Sequence, residues 1–81
     1  MKDSVTIRLY AAARAAAGQS KISVTPARLD VILGTISHGN PLLMRVLAQC
    51  SFLVDGIVLH DKDAEIPAYS TVDILPPFAG G

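Results

Sequence analysis

The sequence predicts an α+β domain built on one mixed β-sheet with helices on one face, and three observations carry that expectation. Short segments of alternating hydrophobicity recur at both ends of the chain, two apolar helical stripes lie between them, and no linker or internal repeat divides the 81 residues. That length holds one domain and one modest core.

Each element has a local reason. Val5, Ile7 and Leu9 alternate with Thr6 and Arg8, the period-2 pattern of a half-buried strand. From Ala11 to Ala17, six alanines surround Arg14, a strong helix former that Gly18 stops. Ile22 and Val24 give a short second strand. Thr25-Pro26 reads as an N-cap followed by proline at the first helical position, and Leu29, Ile32, Leu33 and Ile36 form one helical face that Gly39 ends. Asn40-Pro41 repeats the cap signal before Leu43, Val46 and Leu47. Phe52-Leu53-Val54 and Ile57-Val58-Leu59 flank Asp55-Gly56, a dipeptide suited to a type I′ hairpin turn. Residues from Asp61 to Tyr69 read as a polar connection with Ile66 as its buried member. Val72 and Ile74 mark the last strand, which Pro76-Pro77 ends by removing two ladder donors.

Composition narrows the function. Hydrophobic residues make up 51% of the chain and charged ones 17%, far from a disordered composition. Seven basic residues balance seven acidic ones, so a nucleic-acid partner is not expected. Apolar runs fall short of the ~18–20 residues that cross a bilayer, and the start Met1-Lys2-Asp3-Ser4 does not open a signal peptide. One cysteine excludes an internal disulfide and fits a reducing cytoplasm. Cys50, with no His or Lys near it in sequence, reads as a small buried hydrophobe. His38 and His60 lack metal-ligand spacing, Asp61, Asp63 and Glu65 lack the glycine and final carboxylate of a calcium loop, and no phosphate-cradling glycine loop is present. No metal, no bound cofactor and no stand-alone catalytic constellation are expected.

Weight therefore falls on the end of the chain, Leu75-Pro76-Pro77-Phe78-Ala79-Gly80-Gly81. It carries no side-chain charge, and its last two residues carry no side chain. Such a terminus can thread a narrow channel, with Gly80 and Ala79 as the threading residues, and present the Gly81 carboxylate as a reacting group. Residues 1–75 are expected to form the domain and 76–81 an extended tail. Ile57, Leu75, Pro76, Pro77 and Phe78 are the candidate partner contacts. The proline pair lowers the ordering cost of insertion, and a neutral domain with an uncharged tail implies docking that depends little on salt.

Several of these segments together are similar to one family. Leu9-Tyr10-Ala11-Ala12-Ala13-Arg14-Ala15-Ala16-Ala17-Gly18 resembles the strand and alanine-rich turn-helix opening of the small subunit of molybdopterin synthase. Phe52-Leu53-Val54-Asp55-Gly56 resembles its central hairpin, and the stretch from Val72 to Gly81 its end. Two positions depart: Ala15 stands where many members have an acidic residue, and Tyr69-Ser70 where many have Gly-Asp. The resemblance implies a β-grasp, ubiquitin-like fold and a sulfur carrier. In that family an E1-like adenylating enzyme uses ATP and magnesium to convert the terminal carboxylate to an acyl-adenylate. A sulfurtransferase-supplied sulfur then leaves a thiocarboxylate, here on Gly81. The tail enters the large subunit of molybdopterin synthase, which carries the catalytic residues, and sulfur passes to cyclic pyranopterin monophosphate in molybdenum-cofactor synthesis. Two other readings share the tail: a sulfur carrier for thiazole, cysteine or another thio-metabolite, and a ubiquitin-like protein modifier.

Overall fold

The computed structural model of the protein describes residues 3–77. Strand β1 (Val5–Leu9) leads into helix α1 (Ala11–Ala17) and returns as β2 (Lys21–Val24). A two-residue strand β3 (Ala27–Arg28) precedes α2 (Leu29–Ile36) and α3 (Pro41–Leu47). The chain continues through β4 (Ser51–Val54), β5 (Ile57–Leu59), a second short strand β6 (Glu65–Ile66) and β7 (Thr71–Leu75).

Five strands form one mixed sheet in the order β2-β1-β7-β4-β5, and β3 pairs with β6 separately. Only the β1–β7 pair in the large sheet is parallel. Val5, Ile7, Leu9, Val72, Ile74 and Phe52 share one sheet face by register and are buried in one cluster with Ala13, Leu29, Ile32, Leu43 and Leu47 from the helices. The helices thus cover one face, as the alternation requires. Truncating a fully buried member such as Leu29 to alanine removes about 2–5 kcal/mol.

Local signals set most boundaries. Gly18 ends α1 at φ 77, its N–H donating to the Arg14 carbonyl at 2.9 Å. Asn40 Oδ1 accepts from the Leu43 N–H at 3.0 Å, and Asn40 Nδ2 donates to the Ala16 carbonyl at 3.0 Å, tying α3 to the end of α1. Asp55 and Gly56 both take positive φ, 49 and 85, as a type I′ turn demands.

The start of α2 differs from the sequence expectation. Thr25-Pro26 does not cap it; the helix begins at Leu29, after Ala27 and Arg28 have paired with Ile66 and Glu65. That pairing lets the 61–66 connection satisfy the first helical donors, Leu29 N–H to the Ala64 carbonyl at 3.0 Å and Asp30 N–H to the Lys62 carbonyl at 2.9 Å. The N-cap position falls on Arg28, three residues after Thr25, and carries no side-chain cap bond. The same pairing makes β6 out of part of the polar connection and buries Ile66. Helix α2 also closes early, at Ile36, and Gly39 at φ 72 completes the following turn.

Candidate functional site

The tail departs from the middle of the sheet. β7 is paired on both sides, parallel to β1 and antiparallel to β4, so Leu75 is fixed opposite Ser51. Pro76 is half-buried and Pro77 exposed beyond it. Phe78, Ala79, Gly80 and Gly81, the remaining tail candidates, lie outside the described residues.

The register sorts the other candidates. Leu75 lies on the open face, away from the helices, and is half-buried. Ile57 is 74% exposed but sits opposite Val54, which belongs to the helix-covered face. Ile57 and Leu75 therefore emerge on opposite faces, and Val58, also exposed, is the hairpin residue that shares Leu75's face.

One cross-strand row on that open face spans all five strands: Lys21, Arg8, Asp73, Leu53 and Val58. At its centre Arg8 donates through Nε to Asp73 Oδ1 at 2.6 Å and through Nη2 to Oδ2 at 3.1 Å, a two-pronged pair across the parallel strands. The Tyr10 hydroxyl reaches the same Oδ1 at 3.4 Å. The Arg8 bonds hold the Asp73 carboxyl below the usual carboxylate range against the opposing effect of its burial. The sequence reading missed this row, because pairing across 65 residues leaves no local signal. Among the described residues the open face thus carries Lys21 and the Arg8–Asp73 pair toward one edge and Leu53, Val58 and Leu75 toward the other.

Other groups lie elsewhere. The Cys50 thiol donates to the Val46 carbonyl at 3.2 Å, and burial pushes its pKa up while Lys62 pulls the other way. Folding does bring His60 and Lys62 to the same shallow cavity of about 130 Å³, so the thiol is less isolated from basic groups than its sequence neighbours imply. A larger groove of about 550 Å³ runs beside Ser23, Thr25, Val31 and Thr35, at the end of the sheet opposite the tail's exit. Among the described residues no three His, Cys, Asp or Glu side chains gather as a metal site, and no helix is long and apolar enough to cross a membrane.

The architecture is the ubiquitin-like β-grasp fold, in agreement with the family resemblance. The chain matches small archaeal modifier protein 1 (SAMP1) from Haloferax volcanii with a TM-score of 0.80 at 21% identity, covering 96% of this chain and 99% of that one. It matches a putative molybdopterin converting factor, subunit 1, from Pyrococcus furiosus with a TM-score of 0.80 at 18% identity, over 95% and 100% of the two chains. In a complex of subunits 1 and 2 of the molybdopterin-converting factor from Helicobacter pylori, the matching chain gives 0.72 at 15% identity over 96% and 99%. At such identities the likeness is one of fold. No protein-family profile and no curated protein matches the sequence.

Proposed function

We propose that the protein is a cytoplasmic sulfur carrier whose reacting group is the Gly81 carboxylate, serving molybdopterin synthesis. The observation that supports this most is the union of a β-grasp sheet with the ending Pro76-Pro77-Phe78-Ala79-Gly80-Gly81 on its central strand. The solved likenesses to molybdopterin-converting factor subunits, one of them in complex with its second subunit, add support.

A carboxylate is anionic at neutral pH and a poor acyl donor, its pKa lying near ~3.5. In the proposed sequence, an activating enzyme uses ATP and magnesium to form the Gly81 acyl-adenylate, releasing pyrophosphate. A persulfide carried by a sulfurtransferase attacks the acyl carbon through its terminal sulfur and expels AMP, and a thiol then reduces the resulting acyl disulfide, itself becoming a disulfide and leaving the thiocarboxylate. The tail then enters the large synthase subunit and gives its sulfur to cyclic pyranopterin monophosphate; two such transfers build a dithiolene. This chain holds the reacting atom and delivers it, and the partner supplies acid–base chemistry.

A second reading, a protein modifier joined through Gly81 to lysines, is favoured by the likeness to SAMP1. Reconstitution separates them. Thiocarboxylated protein, mixed with the large subunit and the pterin precursor, should yield molybdopterin. Absence of product, together with Gly81-linked lysine adducts on other proteins, would replace the carrier reading with the modifier one.

A further inference from the structure

Among the described residues the large sheet ends in two free edges, and the two differ. β2 carries Lys21, an edge charge of the kind that discourages strand addition. β5 is Ile57-Val58-Leu59, with no charge, and both Ile57 and Val58 are exposed. The ladder fixes which way the β5 backbone points. The Asp55 N–H donates to the Thr71 carbonyl, so alternation turns the backbone groups of Leu53 toward β7 and those of Phe52 and Val54 toward β5. Ile57 and Leu59, opposite Val54 and Phe52, meet those groups. Val58, opposite Leu53, therefore aims its N–H and C=O out of the free edge.

We propose that β5 is a self-association edge, pairing antiparallel with β5 of a second copy of this chain about a two-fold axis at Val58. In that register the segment is its own complement. Val58 exchanges two N–H to C=O bonds with the partner's Val58, and the two side chains meet on the open face. Ile57 meets the partner's Leu59, and Leu59 the partner's Ile57, on the helix-covered side. The paired segment brings no charges together. A two-fold contact of this kind closes, whereas adding β5 to another copy's β2 would propagate without end and meets Lys21. The pairing joins two five-stranded sheets into one. β5 and β7 run in the same direction, each antiparallel to β4, so the two-fold sends the chains beyond Leu75 out at opposite ends of the joined sheet. A three-residue strand makes a small contact, and the association is accordingly weak and concentration-dependent. It does not depend on whether Gly81 carries sulfur or joins lysines.

Sedimentation equilibrium from about 10 μM to about 1 mM, with backbone amide exchange followed by NMR at both ends of that range, tests the pairing. The mean mass should rise from one chain toward two. The Val58 amide, free in the single chain, should exchange several-fold more slowly at the higher concentration, while those of Ile57 and Leu59, already bonded to β4, should change little. Val58 is exposed, so Val58→Lys should fold; Val58→Pro removes only the outward donor, which an edge strand tolerates. Each should weaken association about tenfold or more. A chain that stays single across the whole range would overturn the inference. So would association that Val58→Lys leaves unchanged, or association in which the Val58 amide exchanges as fast as in dilute protein.

Discussion

Asp55 and Thr71 hold each other twice: the Asp55 N–H donates to the Thr71 carbonyl at 2.9 Å, and the Thr71 N–H donates to Asp55 Oδ1 at 2.9 Å. The β4–β5 turn thereby clamps the first residue of β7, the strand that carries the tail. Asp55→Ala removes the acceptor and places a Cβ without compensation at φ 49, so it should destabilise by about 1–3 kcal/mol. Asp55→Asn keeps an acceptor and tolerates the left-handed region, and should cost less than half as much. Urea titration with an unchanged m-value measures both, and equal losses would contradict the clamp.

Tyr69 occupies the left-handed region at φ 68, its N–H bonded to the Ser4 carbonyl at 2.8 Å and its hydroxyl to Asp3 Oδ1 at 2.6 Å. This is where the family resemblance expects glycine, and the dihedral gives the reason. Tyr69→Gly and Tyr69→Ala both lose the hydroxyl and differ only by a Cβ. The glycine variant should be the more stable by about 1 kcal/mol in thermal or urea unfolding. Equal stability, or the reverse order, would remove backbone strain from the account.

Stability in acid should depend on Asp73. Arg8 lowers its folded pKa below the unfolded value, so the native state gains from the ionised form. That contribution is present above the ordinary carboxylate pKa of about 3.9 and is lost as pH falls through the lower folded value. Asp30, lowered by its bond from Arg28, has the same sign. The urea-midpoint gap between the unaltered protein and Asp73→Asn should therefore shrink below about pH 4. A gap that widens in acid would contradict the assignment.

Cys50 should react slowly with thiol reagents at neutral pH, because burial raises its pKa and its S–H donates a hydrogen bond to the Val46 carbonyl. Cys50→Ser should leave adenylation and sulfur loading unchanged. Loss of loading with intact adenylation would make the thiol part of the sulfur route.

What the sequence disclosed was local. Gly18, Asn40-Pro41 and Asp55-Gly56 each fix a boundary through their own backbone preferences, and the alternation of Val5, Ile7 and Leu9 sets the buried face. What it concealed was long-range. The start of α2 is decided by carbonyls of Lys62 and Ala64, some thirty residues away. The row from Lys21 to Val58 exists only once five strands are in register, and that register also assigns Ile57 and Leu75 to opposite faces. Pro76 and Pro77 end β7 as read, and the residues from Phe78 to Gly81 lie beyond the described structure.

Sulfur loading on the Gly81 carboxyl is tested most directly by intact mass. After incubation with the activating enzyme, ATP, magnesium and a sulfur source, the protein should gain the mass difference between sulfur and oxygen. Fragmentation should place that gain on Gly81. A variant extended by one residue beyond Gly81, shown to remain unprocessed, should gain nothing while unfolding like the unaltered protein. An extended variant that is loaded equally well, or sulfur located on any residue other than Gly81, would contradict the account.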